Sequence, residues 1–218
     1  MPTGALPVRP PNGQSVEPFA SITGDLAAKG WCVVDDFVSA EWAAELLEEQ
    51  RQQSRQGDFR CAGIGRDRAF QLDAQTRGDQ ILWLDRGNAL PAQFQYLAML
   101  EELRRAVNRE LFLGLDRLDM HAADFPPGGF YRRHLDAFRH DNLRVLSVIL
   151  YLNRRWHARD GGALRLYLDA HPDGAFVDVL PESGRLVTFL SDRSQHEVRE
   201  THRLRSSITG WFSRRPRQ

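Results

Sequence analysis

The residues best able to do chemistry gather in one short segment, FYRRHLDAF at 130–138. His134 and Asp136 are two apart in a run expected to form a strand. Side chains alternate along a strand, so both would point to one face, about 7 Å apart along it. An imidazole and a carboxylate aimed at a common point can share a divalent cation, but a third ligand must come from elsewhere. His196, 60 residues beyond Asp136 and next to another expected strand, is the candidate. Two histidines and one carboxylate on one face of a metal leave positions open for other molecules, the arrangement in which non-haem iron(II) activates oxygen. A bare His-x-Asp is weak, since most such pairs are polar strand faces. Arg205, nine residues after His196 in the last β-rich segment, sharpens it. A buried arginine there can grip a carboxylate with two parallel hydrogen bonds. A metal beside such a clamp suits a keto-diacid such as 2-oxoglutarate, chelating at one end and paired with the arginine at the other.

The elements that must position these residues follow from pattern. Residues 1–18 hold five of the 11 prolines and read as a flexible Pro-rich tail. A short helix ending near Gly30 comes next, then a strand over WCVVDDF at 31–37. Ser39 suits the cap of a second helix and Gly57 its end, with Trp42, Ala43, Leu46 and Leu47 at helical spacing between them. Residues 58–76 are charged and glycine-bearing without a clean period, which predicts a long loop or irregular hairpin. QILWL at 80–84 predicts a strand. Pro91 suits the first turn of a helix whose apolar stripe is Phe94, Leu97, Leu100, Leu103, Val107 and Leu111. After residue 115 come short β-type runs at 117–125, 129–137, 144–152, 163–168, 175–180, 185–190, 196–199 and 206–213. Turn signals such as Pro126-Pro127-Gly128-Gly129 and Gly161-Gly162 separate them. Such a series without helices argues for a double-sheet sandwich or jelly roll. Helices first and strands later around one core make the fold class α+β. The expected organisation is one domain over 19–218, helical and loop-rich over 19–114 and a β-sandwich over 115–213.

Composition excludes several classes. The chain has 218 residues, enough for a sizeable core, and balances 29 basic against 29 acidic residues. That balance gives no electrostatic footprint for nucleic acid. No apolar run approaches the length of a membrane span, and the N-terminus lacks an apolar signal core. Two cysteines, Cys32 and Cys61, have no metal-type spacing and make no disulfide framework, so a reduced, cytoplasmic setting is expected. His121, His140, His157, His171 and His202 read as loop or strand-edge residues, His121 lying close enough to the metal strand to line a pocket.

The segments YRRHLDAF, ILYLNRRW, GGALRLYL, SDRSQHEV and RLRSSITGWF, with GWCVVDDFVS and TRGDQILWL upstream, resemble the Fe(II)- and 2-oxoglutarate-dependent prolyl hydroxylases of the hypoxia-sensing and bacterial type. The resemblance runs over roughly 20–213, in the family's order and spacing. It implies a double-stranded β-helix (jelly roll, cupin-like) with N-terminal helices packed on the sandwich. It implies iron held by His134, Asp136 and His196, and Arg205 and the Tyr151 hydroxyl on the far carboxylate of 2-oxoglutarate. Thr209 and Leu164 would line that pocket and Trp211 would stand near the metal. Arg77 and Asp79 match a pair in a mobile loop that folds over substrate, with Arg144 placed to reach the aspartate through an exposed ion pair. Where the family often carries a tyrosine before the turn into the first metal strand, this chain has Phe125, so one phenol hydroxyl is missing from the pocket. Asp136 argues against a halogenase of this fold, which needs a small residue there.

The resemblance further implies hydroxylation of an aliphatic C–H with 2-oxoglutarate and O2 as cosubstrates, and ascorbate in support. The expected substrate is a prolyl residue in a protein, such as a translation factor. Three alternatives stand beside this: a hydroxylase of a free amino acid or small metabolite, a catalytically silent jelly-roll binding module, and a cupin-like zinc protein.

Overall fold

In the computed structural model, residues 19–64, 71–137, 143–169, 171 and 174–216 are described; the expected tail at 1–18 and His140 lie outside them. The chain runs through α1 (Ala20–Lys29), β1 (Trp31–Val34), α2 (Ala40–Arg55), β2 (Arg60–Cys61), β3 (Gln80–Leu84) and α3 (Pro91–Leu111). The β-rich half follows: β4 (Arg117–Phe125), β5 (Tyr131–His134), β6 (Arg144–Tyr151), β7 (Leu164–Tyr167), β8 (Phe176–Val179), β9 (Leu186–Leu190), β10 (His196–Val198) and β11 (Arg205–Ser213). A seven-stranded sheet has the order β1-β9-β6-β11-β4-β3-β2 and a four-stranded sheet the order β5-β10-β7-β8. Their pairings are antiparallel. This is the α+β jelly roll with N-terminal helices that the sequence predicts.

Residue parity decides what each strand of the large sheet faces. In β6, Leu146, Val148 and Leu150 join the helices in one apolar cluster, while Ile149 and Tyr151 join a second cluster between the sheets. Both faces of β6 are therefore covered, which is why ILYL reads as a continuous apolar run rather than an alternation. The same parity sends Ile208 and Phe212 of β11 to the helices, and Arg205, Ser207, Thr209 and Trp211 into the space between the sheets. Gly210 permits close packing on the helix side, where a Cβ would come within 3.0 Å of Leu118 and 3.2 Å of Val148.

Ser39 caps α2 by accepting from the Trp42 N–H at 3.2 Å, as expected, a contact worth about 1 kcal/mol. Glu49 reaches from α2 to accept from the Ala92 and Gln93 N–H groups at the start of α3, at 2.8 and 2.9 Å. A carboxylate there satisfies orphan donors and meets the positive helix end.

Three expectations need correction. Phe94 is exposed and leaves the α3 stripe, whose buried face is Tyr96, Met99, Leu100, Leu103 and Val107. The strand expected at 31–37 stops at Val34, because Asp36 adopts a left-handed φ of 51° in the following turn. The strand expected at 129–137 spans only Tyr131–His134, so Asp136 lies in the bend beyond it. Among the described residues no helix is long and apolar enough to cross a membrane.

Candidate metal and keto-acid site

His134 and His196 stand directly opposite each other in the β5–β10 ladder, with ring centroids 4.2 Å apart. Asp136 turns back from the bend toward both. The ligand atoms of the three residues all lie within 4.8 Å of one another. His134 Nε2 is 3.6 Å from Asp136 Oδ1 and His196 Nε2 is 3.7 Å from Asp136 Oδ2. The other ring nitrogens are committed: His134 Nδ1 lies 2.7 Å from the Arg132 carbonyl and His196 Nδ1 lies 2.9 Å from the Ser194 carbonyl. A carbonyl can only accept, so each Nδ1 carries the proton and each Nε2 presents a lone pair. Two lone pairs facing a carboxylate repel one another, and a divalent cation among them turns the contact into an attraction. The donor set therefore fits the iron that the facial arrangement accommodates.

Electrostatics agree. Burial would by itself raise the Asp136 carboxyl, but positive charge on the His196 and His134 side, the charge that a cation would supply there, outweighs it together with the Ser147 hydroxyl and holds the group well below the usual carboxylate range. Ser147 donates to Asp136 Oδ2 at 2.6 Å and exchanges a second hydrogen bond with Ser191 at 2.9 Å. Burial, with His134 beside it, pushes His196 down to about 4, so this imidazole is neutral and able to ligate near pH 7.

At the other end of the same cavity Arg205 is almost fully buried, at 1% exposure. Its Nε donates to the Gly162 carbonyl at 2.8 Å, and its Cζ lies 5.0 Å from each of the Phe125 and Tyr151 rings. Gly162 has φ 67°, and a Cβ there would come within 3.0 Å of Arg205 Cδ and Thr201 Oγ1, so glycine permits this approach. Burial pushes the guanidinium below its usual value and raises the Tyr151 phenol to about 12; each group partly offsets the other. The buried Tyr151 hydroxyl has no hydrogen-bond partner among the described residues. A buried guanidinium beside an unpartnered hydroxyl fits the carboxylate of a keto-diacid. Thr209, Leu164 and Phe125 line the cavity along with the three metal-site residues. Phe125 supplies an aromatic face to Arg205 where a phenol was expected.

The rim departs from expectation. Asp79 is buried and is gripped by Arg77 through two bonds, Nε–Oδ1 at 2.7 Å and Nη2–Oδ2 at 2.6 Å. Arg144 instead lies over the Trp211 ring, 4.0 Å from its centroid. The exposed ion pair expected between Asp79 and Arg144 is thus replaced by a buried pair within the TRGD segment, because the backbone bridge of Arg77 to Tyr131 turns that segment inward. His121 and Trp211 line the cavity, and the His121 ring meets Trp83 and Trp211 edge-on at 5.2 and 5.0 Å. Sequence reasoning missed Tyr131 and Ser147. Ser147 carried a signal, since it interrupts an apolar strand on its cavity-facing parity; Tyr131 carried none, since strand alternation counted from His134 puts it on the opposite face.

Residues 120–213, the whole span of the metal-site residues and clamp, match the sequence model of the 2OG-Fe(II) oxygenase superfamily. A solved Pseudomonas putida prolyl-4-hydroxylase is 44% identical, with a TM-score of 0.81, covering 91% of this chain and 100% of that one. The chain belongs to the prolyl hydroxylase family of 2OG-Fe(II) oxygenases. Human Egl nine homolog 1 is 32% identical over 192 residues, 84% of this chain. The chain spans only 43% of that relative's length. A Trichoplax adhaerens prolyl hydroxylase, solved with a hypoxia-inducible-factor peptide fragment, is 27% identical with a TM-score of 0.79 over 88% of this chain and 87% of its own. The family's Fe(II), 2-oxoglutarate and O2 are the groups that the donor set and the buried clamp fit.

Proposed function

We propose that this 2OG-Fe(II) oxygenase hydroxylates a prolyl residue within a polypeptide. The observation that carries the reading is one cavity holding both the His134–Asp136–His196 cluster and, at its buried end, Arg205 beside Tyr151. In this reading the three residues hold iron, Arg205 and Tyr151 hold the far carboxylate of 2-oxoglutarate, and Leu164 and Thr209 shape its pocket. Bound iron supplies the oxygen chemistry, coupling decarboxylation of 2-oxoglutarate to succinate and CO2 with insertion of one oxygen atom into the substrate C–H bond. The chain's own residues hold and orient the reactants and exclude water. The Arg132 and Ser194 carbonyls keep the Nδ1 protons in place, Ser147 holds Asp136 ionised, and the Phe125 ring walls off Arg205.

The rim of Trp83, His121, Trp211 and Arg144 offers aromatic faces and a cation to a polypeptide, and the peptide complex of the Trichoplax relative supports that substrate class. We further propose that 19–218 forms a single oxygenase domain, supported by the strands shared between its two apolar clusters. A cytoplasmic setting is proposed from the two free cysteines. Two measurements test the function: 2-oxoglutarate consumption with iron and ascorbate, and mass spectrometry of lysate proteins for the gain of one oxygen on proline. Consumption without any oxygen gained by protein, but with a hydroxylated amino acid or metabolite, would move the substrate to the small-molecule class. No consumption by metal-loaded protein would leave a binding module.

A further inference from the structure

Four residues of β5 (Tyr131 to His134) span the ladder positions that three residues of β10 (His196 to Val198) span opposite them, so β5 carries a bulge. In a regular strand, residues three apart point to opposite faces. The bulge cancels that rule and brings Tyr131 onto the His134 side. The two rings stack face to face, with centroids 3.7 Å apart and planes 16° from parallel. The Arg77 guanidinium lies 4.3 Å from the Tyr131 centroid. Two groups this close cannot share one face, so the phenol ring is held between Arg77 and His134. Arg77 is itself fixed, by the two bonds to Asp79 and by a third from Nη1 to the Gly63 carbonyl at 3.2 Å. The backbone closes the assembly: Gly78 N–H donates to Phe130 O at 3.0 Å and Arg132 N–H to Thr76 O at 2.9 Å.

His134 needs such support more than its partners do. Its side chain is 19% exposed, against 7% for Asp136 and 4% for His196. Among the described residues, its one ring hydrogen bond is to a carbonyl two residues back on its own strand. His196 has the Phe189 ring 4.6 Å away inside the core, and Asp136 has Ser147.

We propose that Tyr131, backed by the Arg77–Asp79 pair, is a positioning residue that fixes the His134 imidazole for metal binding. The TRGD segment then acts on the metal site through the ring stack, in addition to any contact with substrate. This rests on the reading of His134 as a ligand. Partners that orient metal ligands are worth about 10- to 100-fold in metal affinity.

The test is equilibrium binding of Mn(II), a redox-stable divalent probe, to wild type, Tyr131→Leu, Tyr131→Phe and Asp136→Ala, with melting of each metal-free protein recorded alongside. Tyr131→Leu is expected to weaken Mn(II) binding about 10-fold or more. Tyr131→Phe, which keeps the ring and loses only the hydroxyl, should restore wild-type affinity. Wild-type affinity in the leucine variant, with loss in Asp136→Ala, would overturn the positioning role alone. Equal loss in the leucine and phenylalanine variants would assign the effect to the hydroxyl and overturn the stack. Wild type that binds no Mn(II), or Asp136→Ala that binds it normally, would overturn the metal-site reading itself. Should Tyr131→Leu fail to fold, Tyr131→Met fills the space without a ring and carries the same comparison.

Discussion

The two ends of the cavity are built on different sheets. Arg205 and Tyr151 come from neighbouring strands of the seven-stranded sheet, whose far face is covered by the helices and whose longest strands have nine residues. His134 and His196 come from the four-stranded sheet, whose strands have three or four residues and whose Phe176 is exposed. The clamp therefore forms with the core and is in place whenever the chain is folded. The metal end is assembled from short elements and leans on two backbone carbonyls, the Tyr131 ring and, from the large sheet, Ser147. A binding site can share one cavity yet draw its rigidity from two sources, and each source can be disturbed alone.

The largest expected effect comes from the weaker end. Asp136→Ala should abolish metal binding and turnover, read as iron content and 2-oxoglutarate consumption, while the metal-free protein melts close to wild type. Collapse of the fold instead would mean that the metal end is as integral to the core as the clamp. Next comes Arg205→Lys, which keeps the charge but loses the fork. The loss of one charge-assisted hydrogen bond, about 1.5–3 kcal/mol, is roughly 10- to 150-fold in 2-oxoglutarate affinity. Metal affinity without cosubstrate should stay put, and a parallel loss would show that the two ends are not separable.

A smaller effect is expected from Asp79→Asn. With Asp79 buried under the Arg77 fork, neutralising it should lower folding stability by about 1–3 kcal/mol, the cost of a weakened buried polar contact. Chemical denaturation measures this, and a change near zero would place the pair in the solvent-screened class. The smallest concerns pH. Burial pushes His121 from its ordinary 6.5 down to about 3, with Arg77 adding to the shift. The unfolded chain thus binds the proton first as pH falls. The metal-free protein should keep its full stability above about pH 6.5 and lose some progressively between there and about pH 3. His121→Phe should make that slope shallower, and an unchanged slope would assign the acid sensitivity to other groups.

Much of the fold was legible because its signals are local. Ser39 before Trp42, Pro91 at the start of α3 and the turn glycines mark boundaries through their own backbone chemistry. The β-type runs after residue 115 reappear as β4 to β11 with ends shifted by at most one residue, apart from the shortened β5. The expected site residues His134, Asp136, His196, Arg205, Leu164 and Thr209 line one cavity, with Tyr151 against Arg205. Residue types and order suggested the chemistry, and the resemblance tied distant positions together.

What the chain alone determined is therefore its donors, its parity and its punctuation: which side chains can ligate, which face each long strand buries and where elements stop. Tertiary structure decided the rest. Asp79 pairs with Arg77 rather than Arg144 because β5 captures the TRGD backbone, a contact between segments more than fifty residues apart. Tyr131 reaches His134 because β10 opposes two residues of β5, Arg132 and Arg133, with one, Glu197, and a bulge is a property of the ladder. No single strand's sequence specifies its register against a partner, so a period of two read along β5 must place that ring on the wrong side.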